Sequence, residues 1–138
     1  MKKVFLIGFV YYALLLAGCA TTTGTAPDDS LAVESRANER INLIIAGEVL
    51  KAYEYLSPGY RSSVSPESYI AEMVTRKLSW THAELLESEC TENHCTVSFK
   101  IDYTVPSPVP GVRKFEFFDN FDEDWIFTQG QWWFVPKN

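Results

Sequence analysis

Histidine and cysteine are scarce in this 138-residue chain, at two and three residues. Two histidines cannot build a histidine-rich metal centre, and there is no His-Glu-x-x-His pair. The phosphate-binding loop, the dinucleotide fingerprint and the Gly-x-Ser-x-Gly elbow are also missing. No residue pattern therefore calls for a cofactor or a resident metal. Positive charge is short as well, with 12 basic against 18 acidic residues. An acidic chain is repelled by nucleic acid and by anionic headgroups, which excludes nucleic acid as a partner. Long hydrophobic runs are absent too. The longest, Val4 to Leu16, spans about 20 Å as a helix, short of the roughly 30 Å hydrocarbon core.

That run is better suited to a secretory signal. Met1-Lys2-Lys3 supplies the basic start, and Leu16-Ala17-Gly18-Cys19 follows the apolar stretch. This arrangement resembles the lipobox of bacterial lipoproteins; the alternative is an ordinary signal with an incidental cysteine. The resemblance implies cleavage before Cys19 and acylation there, which anchors the chain because several acyl chains sit on one residue. Ala20, rather than Asp, after the cysteine points to the outer membrane, facing the periplasm. The implied division is 1–18 signal peptide, 19–29 lipidated tether and 30–138 a single domain. Residues 20–29 hold nothing large enough to pack. Loss of Lys2 and Lys3 leaves ten basic against 18 acidic residues, a formal charge of −8.

With Cys19 committed to lipid, Cys90 and Cys95 remain, in a compartment that permits disulfides. A metal reading of Cys90, His94 and Cys95 needs a fourth ligand and a reducing setting, so the disulfide is expected instead.

The domain reads as helices, then strands. Ser30 suits a helix cap, with Ala37, Ile41, Ile44 and Ile45 on one stripe and Glu34, Arg36, Asn38, Glu39 and Arg40 around it. A second helical stretch runs from Val49 to Leu56, and Ser65-Pro66-Glu67 starts a further helix. Trp80–Glu89 and Cys95–Val105 form a hairpin, the second strand alternating almost without fault. Arg113–Phe118 resumes after a proline-rich loop, Asp119-Asn120 suggests a bulge or turn, and 125–129 and 131–135 close around Gly130. This order indicates α+β, with N-terminal helices packed on a curved antiparallel sheet of about four strands. The segment Leu43–Arg61, the Ser65 helix start and the closing Glu123–Val135 resemble proteins of the nuclear-transport-factor-two-like superfamily. That resemblance implies a cone with a pocket. It does not choose among enzymes and binding modules.

If Cys90 lies opposite Cys95 and the hairpin is regular, Leu86 faces Phe99, Glu84 faces Ile101, His82 faces Tyr103 and Trp80 faces Val105. Trp80, His82, Glu84 and Tyr103 are then expected to line an inward pocket. A bulge between Ala83 and Leu86 would reverse His82 and Glu84. Trp132 and Trp133 are adjacent, so one is expected in the core and the other exposed as an interface residue. The acids Asp119, Asp122, Glu123 and Asp124 lack calcium-loop spacing and read as a solvated turn. The reading is a lipid-anchored envelope protein acting as a small binding or interaction module. Its partner would be a small apolar ligand or another protein. The alternatives are an enzyme using Glu84, His82 and Tyr103, and an accessory subunit of an envelope assembly.

Overall fold

The computed structural model describes residues 30–137; Cys19 and the tether at 20–29 lie outside the described residues. Helices come first: α1 (Ser30–Ile45), α2 (Val49–Tyr53), α3 (Pro58–Arg61) and α4 (Pro66–Thr75). Four strands follow: β1 (Ser79–Thr91), β2 (His94–Pro106), β3 (Lys114–Thr128) and β4 (Gln131–Val135). Every strand pairs antiparallel with its sequence neighbour, giving the order β1-β2-β3-β4. The fold is α+β, as the order of periodicities predicts.

Local chemistry explains the helix ends. The Ser65 hydroxyl accepts from the Ser68 amide at 3.2 Å, and Pro66 occupies the first turn, where no amide is needed. Gly47, at φ 76°, ends α1 with its amide on the Ile44 carbonyl, while the Glu48 amide reaches Leu43. This pair of bonds closes a helix through a left-handed residue, which glycine adopts without strain.

The core lies between α1 and the inner face of the sheet. Val33, Ala37 and Ile41 descend from α1 onto Val97, Phe99 and Ile101 of β2, with Trp125, Trp132 and Phe134 from β3 and β4. Arg40 belongs to the same buried stripe, only 4% exposed. The expectation that it covers the solvent face is corrected: it lies seven residues after Val33, two helical turns on.

Two other strand expectations change. β3 does not bend at Asp119-Asn120. It pairs without interruption with β2 from Ile126 opposite His94 to Lys114 opposite Pro106. The long regular partner overrides the local turn preference of those two residues. In β1 the ladder shifts twice, leaving Leu86 and Thr81 as extra residues. Leu85 therefore faces Phe99, and Ala83 faces Ile101.

Cys90 and Cys95 are disulfide-bonded across the hairpin tip. Replacing both with alanine should lower the unfolding free energy by about 2 kcal/mol through loop entropy alone. Denaturant titration of the variant against the oxidised chain measures it; an unchanged midpoint would contradict that origin.

Beyond β4, the short segment Tyr55–Ser57 adds a parallel bridge between Leu56 and Phe134. The Ser57 amide donates to the Phe134 carbonyl and the Phe134 amide to Tyr55, both at 2.8 Å. β4 is thus covered on both sides. β3 pairs with β4 only over Asp124–Thr128, so residues 114–123 have no strand on that side among the described residues.

Candidate functional site

A cavity of about 340 Å³ opens between α4 and the inner face of the sheet, lined among others by Arg40, Tyr69, Met73, Trp80, Phe121 and Phe134. A smaller hollow of about 200 Å³ adjoins it, sharing Met73, Arg76 and Trp80 and adding Ile44, Ile45 and Leu78. The walls are mainly apolar and aromatic, with a few polar groups converging. That is the usual composition of a small-molecule site.

Arg40 forms the polar floor. One guanidinium nitrogen pairs with Glu123 Oε1, and the other donates to the Tyr69 hydroxyl at 3.2 Å. The guanidinium carbon lies 3.8 Å from the centre of the Phe134 ring, a cation–π arrangement. Glu123 is fully buried, and its second oxygen accepts from the Trp125 indole at 3.0 Å. Burial pushes the Glu123 carboxyl above the ordinary carboxylate range, while the Arg40 charge and the Trp125 bond pull it back. At the mouth, Arg76 pairs with Glu72 at 2.6 Å and Tyr60 lines the rim. Burial, with the Glu72 charge behind it, raises the Tyr60 phenol above its usual value. It remains a hydrogen-bond donor at neutral pH.

The four residues expected to share a cleft are not brought together. Trp80 and Tyr103 are opposite one another, but His82 faces Asp102 and Glu84 faces Lys100 on the outer side, both exposed. The extra residue Leu86 causes this correction, because one inserted residue reverses the faces that follow. A second extra residue, Thr81, returns Trp80 to the inside. Trp80 alone of the four lines the main cavity, packing edge-on to Phe121 at 5.7 Å.

The expected exposed tryptophan is also corrected. Trp132 and Trp133 are both buried, at 2% and 7% exposure. Trp133 points away from the core but is roofed by the guanidinium groups of Arg36 and Arg61, 5.7 and 4.9 Å from its ring. Its indole donates to the Thr128 carbonyl at 3.0 Å. The acidic run is a strand, not a turn. Glu123 points inward, while Asp122 and Asp124 accept from Ser98 and Thr96. Among the described residues, no group of three or more potential ligands could hold a metal ion. None of their helices is long and apolar enough to cross a membrane.

Arg40, Tyr69, Met73, Phe121, Phe134 and Glu123 are the site residues that the sequence reading passes over. A signal existed for Glu123: it shares the period-two row of Phe121, Trp125 and Phe127.

No protein-family model matches the chain, and no curated protein matches it in sequence. Solved structures do. A SEC-C motif containing protein from Rhodopseudomonas palustris aligns over 78% of this chain and 77% of its own, at 14% identity and a TM-score of 0.57. A Campylobacter jejuni protein described as an NTF2-like transpeptidase aligns over 76% of this chain and 98% of its own, at 9% identity and a TM-score of 0.50. The fold is therefore of the nuclear-transport-factor-two-like kind, and at these identities the likeness is one of fold.

Proposed function

We propose that this chain is a lipid-anchored protein of the bacterial envelope, held by Cys19 and a tether at 19–29 after removal of 1–18. Its domain, 30–138, serves as a small binding module. The observation that carries the binding reading is the aromatic cavity floored by Arg40. An apolar ligand with one hydrogen-bond acceptor would lay its body against Trp80, Met73 and Phe121 and its acceptor toward Tyr60 at the rim. Glu123 favours binding over acid–base chemistry at this place. Its oxygens are occupied by Arg40 and Trp125, and it has no exposed surface.

The full chain, titrated with the dye 1-anilinonaphthalene-8-sulfonate, should show saturable fluorescence. Met73→Trp, which fills the cavity, should abolish it, while His82→Ala on the outer face should leave it intact. Equal signals from all three proteins would sink the cavity reading. The anchor is tested separately: Cys19→Ala should move the protein from the membrane to the soluble fraction, and persistent membrane retention would refute it.

A further inference from the structure

We infer that the unpaired edge of β3, Lys114 to Glu123, is the dimerisation strand of this protein, and that its partner is the same strand of a second copy. The edge is long and presents backbone hydrogen-bonding groups along ten residues. It also carries four phenylalanines in ten residues. Phe115, Phe117 and Phe121 lie half-exposed toward the inner face, and Phe118 is 69% exposed on the outer face. Natural edges are normally blunted by charge, proline or brevity, and an extended apolar edge is a template for another strand.

The order of side chains selects the occupant. In an antiparallel pair about a two-fold axis at Phe118, Lys114 of each copy lies opposite Asp122 of the other. Phe115 lies opposite Phe121, Glu116 opposite Asn120, and Phe117 opposite Asp119. Two opposite-charge pairs and three aromatic pairs result, counting Phe118 against its own mate, with no like charges facing. Sliding the axis to Asp119 sets Asp119 against itself and Glu116 against Asp122. Sliding it to Phe117 leaves Lys114 opposite Asn120 and Glu116 opposite Phe118, so the opposite-charge pairs are lost. Single-residue shifts bring inner side chains opposite outer ones. Only the Phe118 register satisfies both charge and face.

The single chain leaves the needed groups available. Among the described residues, Lys114 is held only by Glu116, at 3.3 Å on the surface, and Asp122 only by the Ser98 hydroxyl. The edge is also clear of the N-terminal end of the described chain. The first turns of α1 lie at the hairpin-tip end, where Glu34 accepts from Ser88. The aromatic edge lies toward the other end of the ladder, with Phe115 to Phe121 opposite Val105 to Phe99.

The test uses the full chain in its membrane. Phe118→Cys should give a covalent dimer on mild oxidation, above the background of the unsubstituted chain. Asn120→Cys should not, because its own mate lies about four residues away along the ladder. Lys114→Asp places like charges opposite Asp122 and should reduce dimer measured by sedimentation in detergent about tenfold. Adding Asp122→Lys to that variant should restore it. A monomeric unsubstituted chain, equal cross-linking at 118 and 120, or failure of the double reversal would overturn the proposal. So would Phe118→Cys cross-linking chiefly to another protein.

Discussion

Arg40→Met is expected to lower the unfolding free energy by about 3–5 kcal/mol at neutral pH, the range for breaking one side of a buried ion pair. The methionine fills most of the space but leaves the Glu123 carboxylate without its counter-charge. The Glu123 carboxyl is already pushed above its ordinary range by burial, and losing Arg40 removes the largest effect pulling it down. A carboxyl raised in the folded state stabilises the fold below its unfolded pKa and loses that contribution as pH rises through the folded value. Acidification to about pH 5 should therefore return part of the loss in the variant. Arg40→Met combined with Glu123→Leu should recover most of it at all pH values, since apolar replacement of both partners is often neutral or better. Denaturant unfolding across pH decides the matter. A single variant as stable as the parent at neutral pH would mean that the pair contributes nothing.

Trp125→Ala should cost about 3–5 kcal/mol, because the indole fills the centre of the inner face and leaves a cavity when removed. It is fully buried, opposite Cys95 on β2 and Phe134 on β4, with the Phe134 ring centre at 5.8 Å. Trp125→Phe separates two contributions. It keeps most of the apolar area but removes the donor to Glu123, so it should cost about 1–3 kcal/mol. Its loss should grow with pH, as more of the unsupported carboxyl ionises. Equal losses for the two variants would place the whole effect in the hydrogen bond.

Much of this architecture is legible in the chain. The alternation of β2 puts Val97, Phe99 and Ile101 inside, and the change from helical to extended period near Leu78 announces the order of elements. The pairing of Cys90 with Cys95 follows from their spacing once Cys19 is set aside. What escapes has definite causes. Of the two extra residues in β1, Leu86 falls at the end of the stretch where a bulge is foreseen, while nothing in the local pattern marks Thr81. Arg40 carries a charge, so periodicity alone assigns it to solvent, and only its distant partner Glu123 reveals otherwise. Trp133 obeys the alternation and does face outward; two arginines drawn from separate helices cover it. The cavity is assembled from α1, α3, α4 and three strands, so its lining could not be collected from any one segment.

The bulge at Leu86 makes the chain tolerant of a change in length. Leu85 and Leu86 are identical, so loss of either codon yields the same protein. The surviving leucine still faces Phe99, Ala83 still faces Ile101, and every side chain inside remains inside. No such slack exists in β2, where each residue from His94 to Pro106 is matched one to one with β3. Deleting a residue there would turn the remainder of the strand over. The hairpin keeps its phase in one strand and its spare length in the other, so in-frame deletions should accumulate in β1 and be purged from β2.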